Sequence, residues 1–155
     1  MVAVITTLIA VGKLRPSLQE ACDDYLARLR RYGDVVTREV REAPASASPP
    51  EQRRTEAKRL LDKVPERAVV IALDRTGTGW TSEGLASHLG RWREGARPLA
   101  LVVGGSTGLD ATALARADHR WSLGPLTLPH QLARLVVLEQ WYRAWTILRG
   151  EPYHK

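Results

Sequence analysis

The sequence predicts an α/β domain in which a mostly parallel sheet is flanked by helices, and three observations predict it. Continuous apolar runs recur at residues 2–11, 68–73 and 98–103, the pattern of strands covered on both faces. Between them lie segments whose apolar residues follow the helical period. The two kinds of segment alternate along the chain, as a parallel sheet with crossover helices requires.

Residues 2–11 are rich in β-branched side chains and read as a buried strand. Pro16-Ser17 opens a helix whose apolar face is Leu18, Cys22, Tyr25, Leu26 and Leu29, and Gly33 ends it. Residues 34–41 read as a second strand. The segment Ala43 to Pro50 is built from Ala, Ser and Pro and reads as a mobile loop inside the domain. Glu51 to Val64 reads as an exposed helix with the apolar stripe Ala57, Leu60, Leu61 and Val64. Ala68 to Leu73 is a covered strand. Thr81 or Ser82 caps a helix carrying Leu85, Leu89 and Trp92. Pro98 to Val103 is a further covered strand, and Asp110 caps a short helix to Ala117. His119 to Leu123 reads as a short strand. Pro129 stands at the first position of a last helix, which runs to about Arg149 with Gly150 as its stop.

The chain of 155 residues carries a net charge of +6 and fits one domain, residues 1–155. Each half, 1–77 and 78–155, contributes +3, so the positive charge is spread rather than gathered in a tail. It favours an anionic partner such as nucleic acid, or simply marks a basic enzyme. The single cysteine, Cys22, excludes an intramolecular disulfide and a cysteine-built zinc site, and it fits a reducing, cytoplasmic compartment. Four scattered histidines show no metal spacing. The apolar N-terminus has no basic region before it, so a strand is preferred over a signal peptide. No run is long and uncharged enough to span a membrane.

In an open parallel sheet, ligands bind at the carboxyl ends of strands, and three loops qualify. The loop after Leu73, Asp74-Arg75-Thr76-Gly77-Thr78-Gly79-Trp80, has a G-x-G but Ser82 where the dinucleotide fingerprint needs its third glycine. The loop after Val103, Gly104-Gly105-Ser106-Thr107-Gly108, is formally G-x-S-x-G. It allows a small serine hydrolase with Ser106 as nucleophile, partnered by Asp110 or Asp118 and by His119, His130 or His154. Equally, its glycine pair would let a ligand approach the backbone closely. The third segment, Trp121 to His130, is apolar, uncharged and constrained where a loop should be polar. Its backbone needs partners, which a bound ligand with amide-like edges such as adenine would provide. The last helix carries more apolar surface than one stripe needs, so it is either deeply buried or shared with a second copy. The tail Glu151-Pro152-Tyr153-His154-Lys155 offers an aromatic ring, an imidazole and a cation, a set that suits stacking on a base and contacting phosphate. A non-catalytic ribosome-binding module would carry the same tail.

These segments in this order resemble the RlmH family of SPOUT-class methyltransferases. The resemblance rests on Ala10-Val11-Gly12-Lys13-Leu14, Leu73-Asp74, Gly104 to Leu109, Trp121-Ser122-Leu123 through Thr127-Leu128-Pro129-His130, Tyr142-Arg143-Ala144-Trp145 and Tyr153-His154-Lys155. It runs essentially end to end and is tightest over the C-terminal third. It implies a homodimeric enzyme that moves a methyl group from S-adenosylmethionine to N3 of a pseudouridine in helix 69 of 23S rRNA, on assembled ribosomes. It also implies a C-terminal trefoil knot. The cofactor contacts it implies fall on Leu73, Gly104, Leu123, Gly124, Pro125, Leu126, Thr127 and Leu128. Gly124-Pro125 is a less usual filling of that loop. The cofactor loops so defined offer no carboxylate as a base. Arg143, Tyr153, His154 and Lys155 are expected to form the RNA-facing side, with Arg143, Tyr153 and His154 catalytic and His154 the proton acceptor. No metal is expected.

Overall fold

β1 (Thr6–Val11) sits between two other strands because all six of its side chains can be buried, and all six are. In this computed structural model, which describes residues 4–155, β1 pairs with β2 (Val35–Val40) on one side and β4 (Leu99–Val103) on the other. β3 (Val69–Thr78) and β5 (His119–Trp121) complete a five-stranded sheet in the order β2-β1-β4-β3-β5, and every named pairing is parallel. The strand expected over 2–11 begins at Thr6; its first two residues, 2 and 3, lie outside those described.

Alternate side chains of each strand point to opposite faces, and two cores result. Leu8, Ala10, Ile71, Leu99, Leu101 and Val103 pack with three helices: α1 (Pro16–Leu29), α3 (Ser82–Glu94) and α5 (His130–Leu148). Ile9, Val11, Val70, Ala100 and Val102 form the other core beneath α2 (Pro49–Leu61), with α4 (Ala111–Arg116) beside it. The surplus apolar surface of α5 has a partner within the chain. The helix lies against both α1 and α3, and Val137, Leu138, Trp141, Ala144 and Trp145 are buried there.

The helix caps are as the side chains dictate. Thr81 Oγ1 accepts the Gly84 N–H at 3.0 Å, and Asp110 accepts the Thr112 N–H at 3.1 Å. Pro129 is the N-cap of α5 rather than its first helical residue. The expected mobile loop is ordered instead. Ser48 and Glu51 form a capping box, Pro49 and Pro50 open α2, and the Gln52 side chain donates to the carbonyls of Pro44, Ala45 and Ala47. Prolines without N–H groups are tolerated in a first helical turn, which is why the break fell two residues early.

Two further differences bear on function. β3 does not stop at Leu73 but continues to Thr78, with an irregularity that lets both Leu73 and Thr78 face Trp121 of β5. β5 ends at Trp121, so Ser122 and Leu123 belong to the following loop. No helix among the described residues is long and apolar enough to cross a membrane, and none of their His, Cys, Asp and Glu side chains group to hold a metal ion.

Candidate active site

The middle of β3, at Leu73, Asp74 and Arg75, and the carboxyl ends of β4 and β5 open into one cleft. Leu73, Gly104, Leu123, Gly124, Leu126 and Leu128 all line it, with His130 and Ala133 of α5 as its floor. Six of the eight residues expected to hold a cofactor therefore converge. Pro125 turns to a second groove with Trp80, Val136 and Gln140 on the other side of the same loop. Thr127 receives a 3.0 Å hydrogen bond from Arg75 Nη1 instead of lining the cleft. Asp74, directly after Leu73, also lines the cleft, so a carboxylate does stand within the loops. Its two oxygens accept the Thr76 N–H at 3.4 Å and the Thr76 hydroxyl at 2.8 Å.

The wall contributed by β4 is almost free of side chains. Gly105 and Gly108 close a tight turn through a 3.0 Å backbone hydrogen bond, with Gly108 at φ +86°. A Cβ at Gly104 would lie 2.8 Å from the carbonyl carbon and oxygen of Gly108, so only glycine fits. One at Gly105 would lie 2.8 Å from Glu56 Oε1.

The opposite wall, residues 122–128, is pinned by Ser122. The buried Ser122 hydroxyl donates to the Arg75 carbonyl at 3.0 Å and accepts the Gly124 N–H at 3.1 Å, while the Ser122 N–H reaches the Thr78 carbonyl at 2.8 Å. These bonds satisfy the backbone at the start of the apolar loop, at Ser122 and Gly124. They also explain why β3 overruns the sheet: its polar extension supplies the acceptors. Leu126 remains 77% exposed at the mouth of the cleft.

Ser106 sits exposed at the tip of the glycine turn. Both acids and two of the three imidazoles that a hydrolase would need are engaged elsewhere, while His130 lines the cleft. Asp110 caps α4, Asp118 accepts the Val70 N–H, and His119 accepts from the Trp92 indole at 3.2 Å. A turn closed by a Gly105–Gly108 bridge is also not the strand-to-helix elbow such an enzyme uses.

The tail forms a second cluster, away from the cleft. Arg143 bridges Glu139 at 3.2 Å and His154 Nδ1 at 3.1 Å, with its guanidinium 4.8 Å above the Tyr153 ring. Tyr153 donates to Glu139 at 3.1 Å and meets Tyr25 at 3.3 Å. His154 Nε2 lies 2.6 Å from Glu83 in the first turn of α3. Because an arginine only donates, Nδ1 of His154 must accept and Nε2 must carry the proton toward Glu83. Burial, together with the Tyr25 and Glu139 contacts, pushes the Tyr153 phenol well above its ordinary range. The hydrogen bond from His154 holds Glu83 below the usual carboxylate range. Glu151 anchors the tail to the turn after α1 through Tyr32 at 2.7 Å and Arg31 at 3.2 Å. Lys155 is exposed at the end. Of this network the sequence singled out Arg143, Tyr153, His154 and Lys155; Glu83, Glu139 and Tyr25 were not singled out. Glu139 lies four residues before Arg143 on one helix, a spacing that marks an ion pair. Glu83 carries no such mark.

The model of the family described as "Predicted SPOUT methyltransferase" matches residues 4–154. A protein named ribosomal RNA large subunit methyltransferase H from Anaeromyxobacter sp. (strain Fw109-5) is 49% identical over 149 residues, covering 96% of this chain and 97% of its own. Its namesake from Rubrobacter xylanophilus is 50% identical over 158 residues, covering 96% of each chain. Among solved structures, a methylase-family protein from Neisseria gonorrhoeae superposes with a TM-score of 0.56 at 15% identity, over 90% of this chain and 82% of that one. The SpoU methyltransferase AviRb from Streptomyces viridochromogenes, solved with AdoMet, gives 0.51 at 15% identity over 98% and 61%. At that identity the two structures speak for the fold alone, and they share it. With a family model spanning nearly every residue and relatives at half identity over their full length, this chain belongs to the SPOUT methyltransferases, among the proteins named ribosomal RNA large subunit methyltransferase H.

Proposed function

We propose that the protein methylates N3 of a pseudouridine in helix 69 of 23S rRNA on assembled ribosomes in the cytoplasm, using S-adenosylmethionine. The observation that carries this reading is the convergence of Leu73 in β3 with Gly104 and Leu123, just past the ends of β4 and β5, on one cleft. The residues present fit the cofactor. A bare glycine wall faces Leu73, Leu123, Leu126 and Leu128 across a slot suited to a flat purine, and Leu126 is left exposed where such a ring would cover it. Both backbone groups of Gly124 are held by the Ser122 hydroxyl, which fixes this wall of the slot, and Pro125 lines the groove on the other side of the loop. When bound, S-adenosylmethionine supplies an electrophilic methyl group on a sulfonium.

The protein's part is placement, worth about 7–11 kcal/mol in well-oriented reactions, and management of one proton. The pseudouridine N3 must lose its proton as it gains the methyl. Arg143 stands thirteen residues beyond His130 on α5, about 20 Å along the axis at roughly 1.5 Å per residue. One protomer therefore does not bring its own tail to its own cleft, and a homodimer in which each tail completes the other's cleft does. His154 can take the proton only when Arg143 leaves Nδ1, and an RNA phosphate is the partner that would draw the guanidinium away. Tyr153, Arg143 and Lys155 would then face the RNA.

The test is tritiated methyl transfer from S-adenosylmethionine to ribosomes that lack the modification, with free subunits beside them. Label confined to the helix 69 pseudouridine of whole ribosomes is expected. Label on free subunits alone, or none from a folded protein that binds the cofactor, would overturn the substrate assignment.

A further inference from the structure

α2 lies on the far face of the sheet from α5, and its buried side carries a glutamate. Glu56 is 6% exposed. One of its oxygens, Oε2, accepts the Ala43 N–H at 3.0 Å. The other, Oε1, is sealed from solvent and has no partner. It lies directly under the glycine turn, 2.8 Å from where a side chain on Gly105 would begin. One helical turn earlier, Arg53 reaches the carbonyl of Thr107 at 3.4 Å. Two successive turns of α2 thus carry the underside of the cleft wall. Within that wall the Thr107 hydroxyl is itself buried and unpartnered.

Unpartnered buried polar atoms are few in a folded protein, because each loses its hydration without gaining a partner. Among the described residues only Arg134 Nε and Trp141 Nε1 share this state, and both lie in the α5 layer. The other two, one acceptor and one hydroxyl, belong to residues that meet at a single turn. A small shift of this turn as one piece, its Gly105–Gly108 hydrogen bond kept, would bring the open acceptor and the open hydroxyl together.

We infer that Glu56 is a positioning residue for the cofactor cleft: it supports the Gly104–Gly108 turn from below, and its free oxygen receives the Thr107 hydroxyl when the turn closes on S-adenosylmethionine. The inference rests on the cofactor assignment above. It makes a helix remote from the reaction part of the cofactor site, and it predicts that the pair exists only in the loaded state.

The experiment is a double-mutant cycle on cofactor binding by calorimetry and, in parallel, on thermal unfolding without cofactor. Glu56→Met keeps the volume and removes the acceptor. Thr107→Val keeps the shape and removes the hydroxyl. Each single change is expected to weaken S-adenosylmethionine binding about tenfold, and the double change no further. Glu56→Gln restores binding to within about threefold, since its amide can still bond both Ala43 and Thr107. Without cofactor, the two changes are expected to be additive in unfolding. Additive losses in binding, coupling of equal size without cofactor, or unaltered binding by Glu56→Met would each overturn the inference. Absence of binding by the unaltered protein would instead overturn the cofactor assignment on which it rests.

Discussion

Gly104→Ala puts one methyl group where the wall of the cleft admits none. The new Cβ would stand 2.8 Å from the carbon and oxygen of the Gly108 carbonyl and 3.1 Å from Leu109 Cδ2. Two of these atoms are backbone in a turn closed by its own hydrogen bond, so they cannot swing aside as a side-chain end would. Overpacking of this kind costs about 1–3 kcal/mol. Restricting the unfolded chain returns about 0.4–1 kcal/mol. The net loss is about 1–2 kcal/mol, which lowers Tm by roughly 2–8 °C in a chain of this size. The relief lies in opening the turn, which widens the cleft, so affinity for S-adenosylmethionine should fall at least tenfold by calorimetry. Gly79→Ala is the control: no atom lies within 4 Å of its Cβ, and its backbone is not left-handed. It should leave cofactor affinity where it is and raise stability by about 0.4–1 kcal/mol. A Gly104→Ala protein as stable as the unaltered one and binding cofactor equally well would refute the reasoning that this wall is fixed by backbone contact.

Removing residues 153–155 is expected to abolish methylation of ribosomes while cofactor affinity, read by calorimetry, stays within about twofold. Ser106→Ala should methylate normally, and the unaltered protein should resist a fluorophosphonate probe; labelling lost on that substitution would revive a hydrolase. Ser122→Ala strips partners from the Arg75 carbonyl and the Gly124 N–H, so unfolding should show a loss of about 2 kcal/mol. Tyr32, desolvated and bonded to Glu151, is pushed up to about 12. Its neutral form is the one the fold favours, so this contribution is whole below pH about 10 and is lost as pH rises through about 12. Tyr32→Phe should flatten that alkaline decline in denaturant titrations, and an unchanged slope would assign it elsewhere.

Much of the site was legible because the cleft is made where strands end, and strand ends follow from apolar runs. Leu73, Gly104 and Leu123 could be placed at one edge of a parallel sheet before any coordinates. The extension of β3 was not legible. Asp74 to Thr78 is polar and holds a glycine, so neither alternation nor propensity marks a strand. What makes it one is pairing with Trp121 and the hydrogen bonds from Ser122, both from residues more than forty positions away. Glu56 was hidden differently. It falls four residues before Leu60, on the stripe that α2 buries, but a carboxylate on an apolar stripe reads as the edge of a solvated face until its neighbour proves to be a glycine turn. The tail network depends on Glu83, seventy-one residues from His154. No local pattern foretells such a meeting.

The sheet order sets a timetable for synthesis. Thr6 pairs with Val35 but also with Leu99, ninety-three residues later. At about 5–20 residues per second, one edge of this fully buried strand waits roughly 5–20 s for its second neighbour to be made. During that interval β1 presents an unpaired edge to the cell, the condition under which nascent chains associate wrongly. Productive folding must begin late, after β4 emerges, and must gather distant segments before any of them is secure. A chain with this layout should depend on protection during translation far more than its modest length suggests.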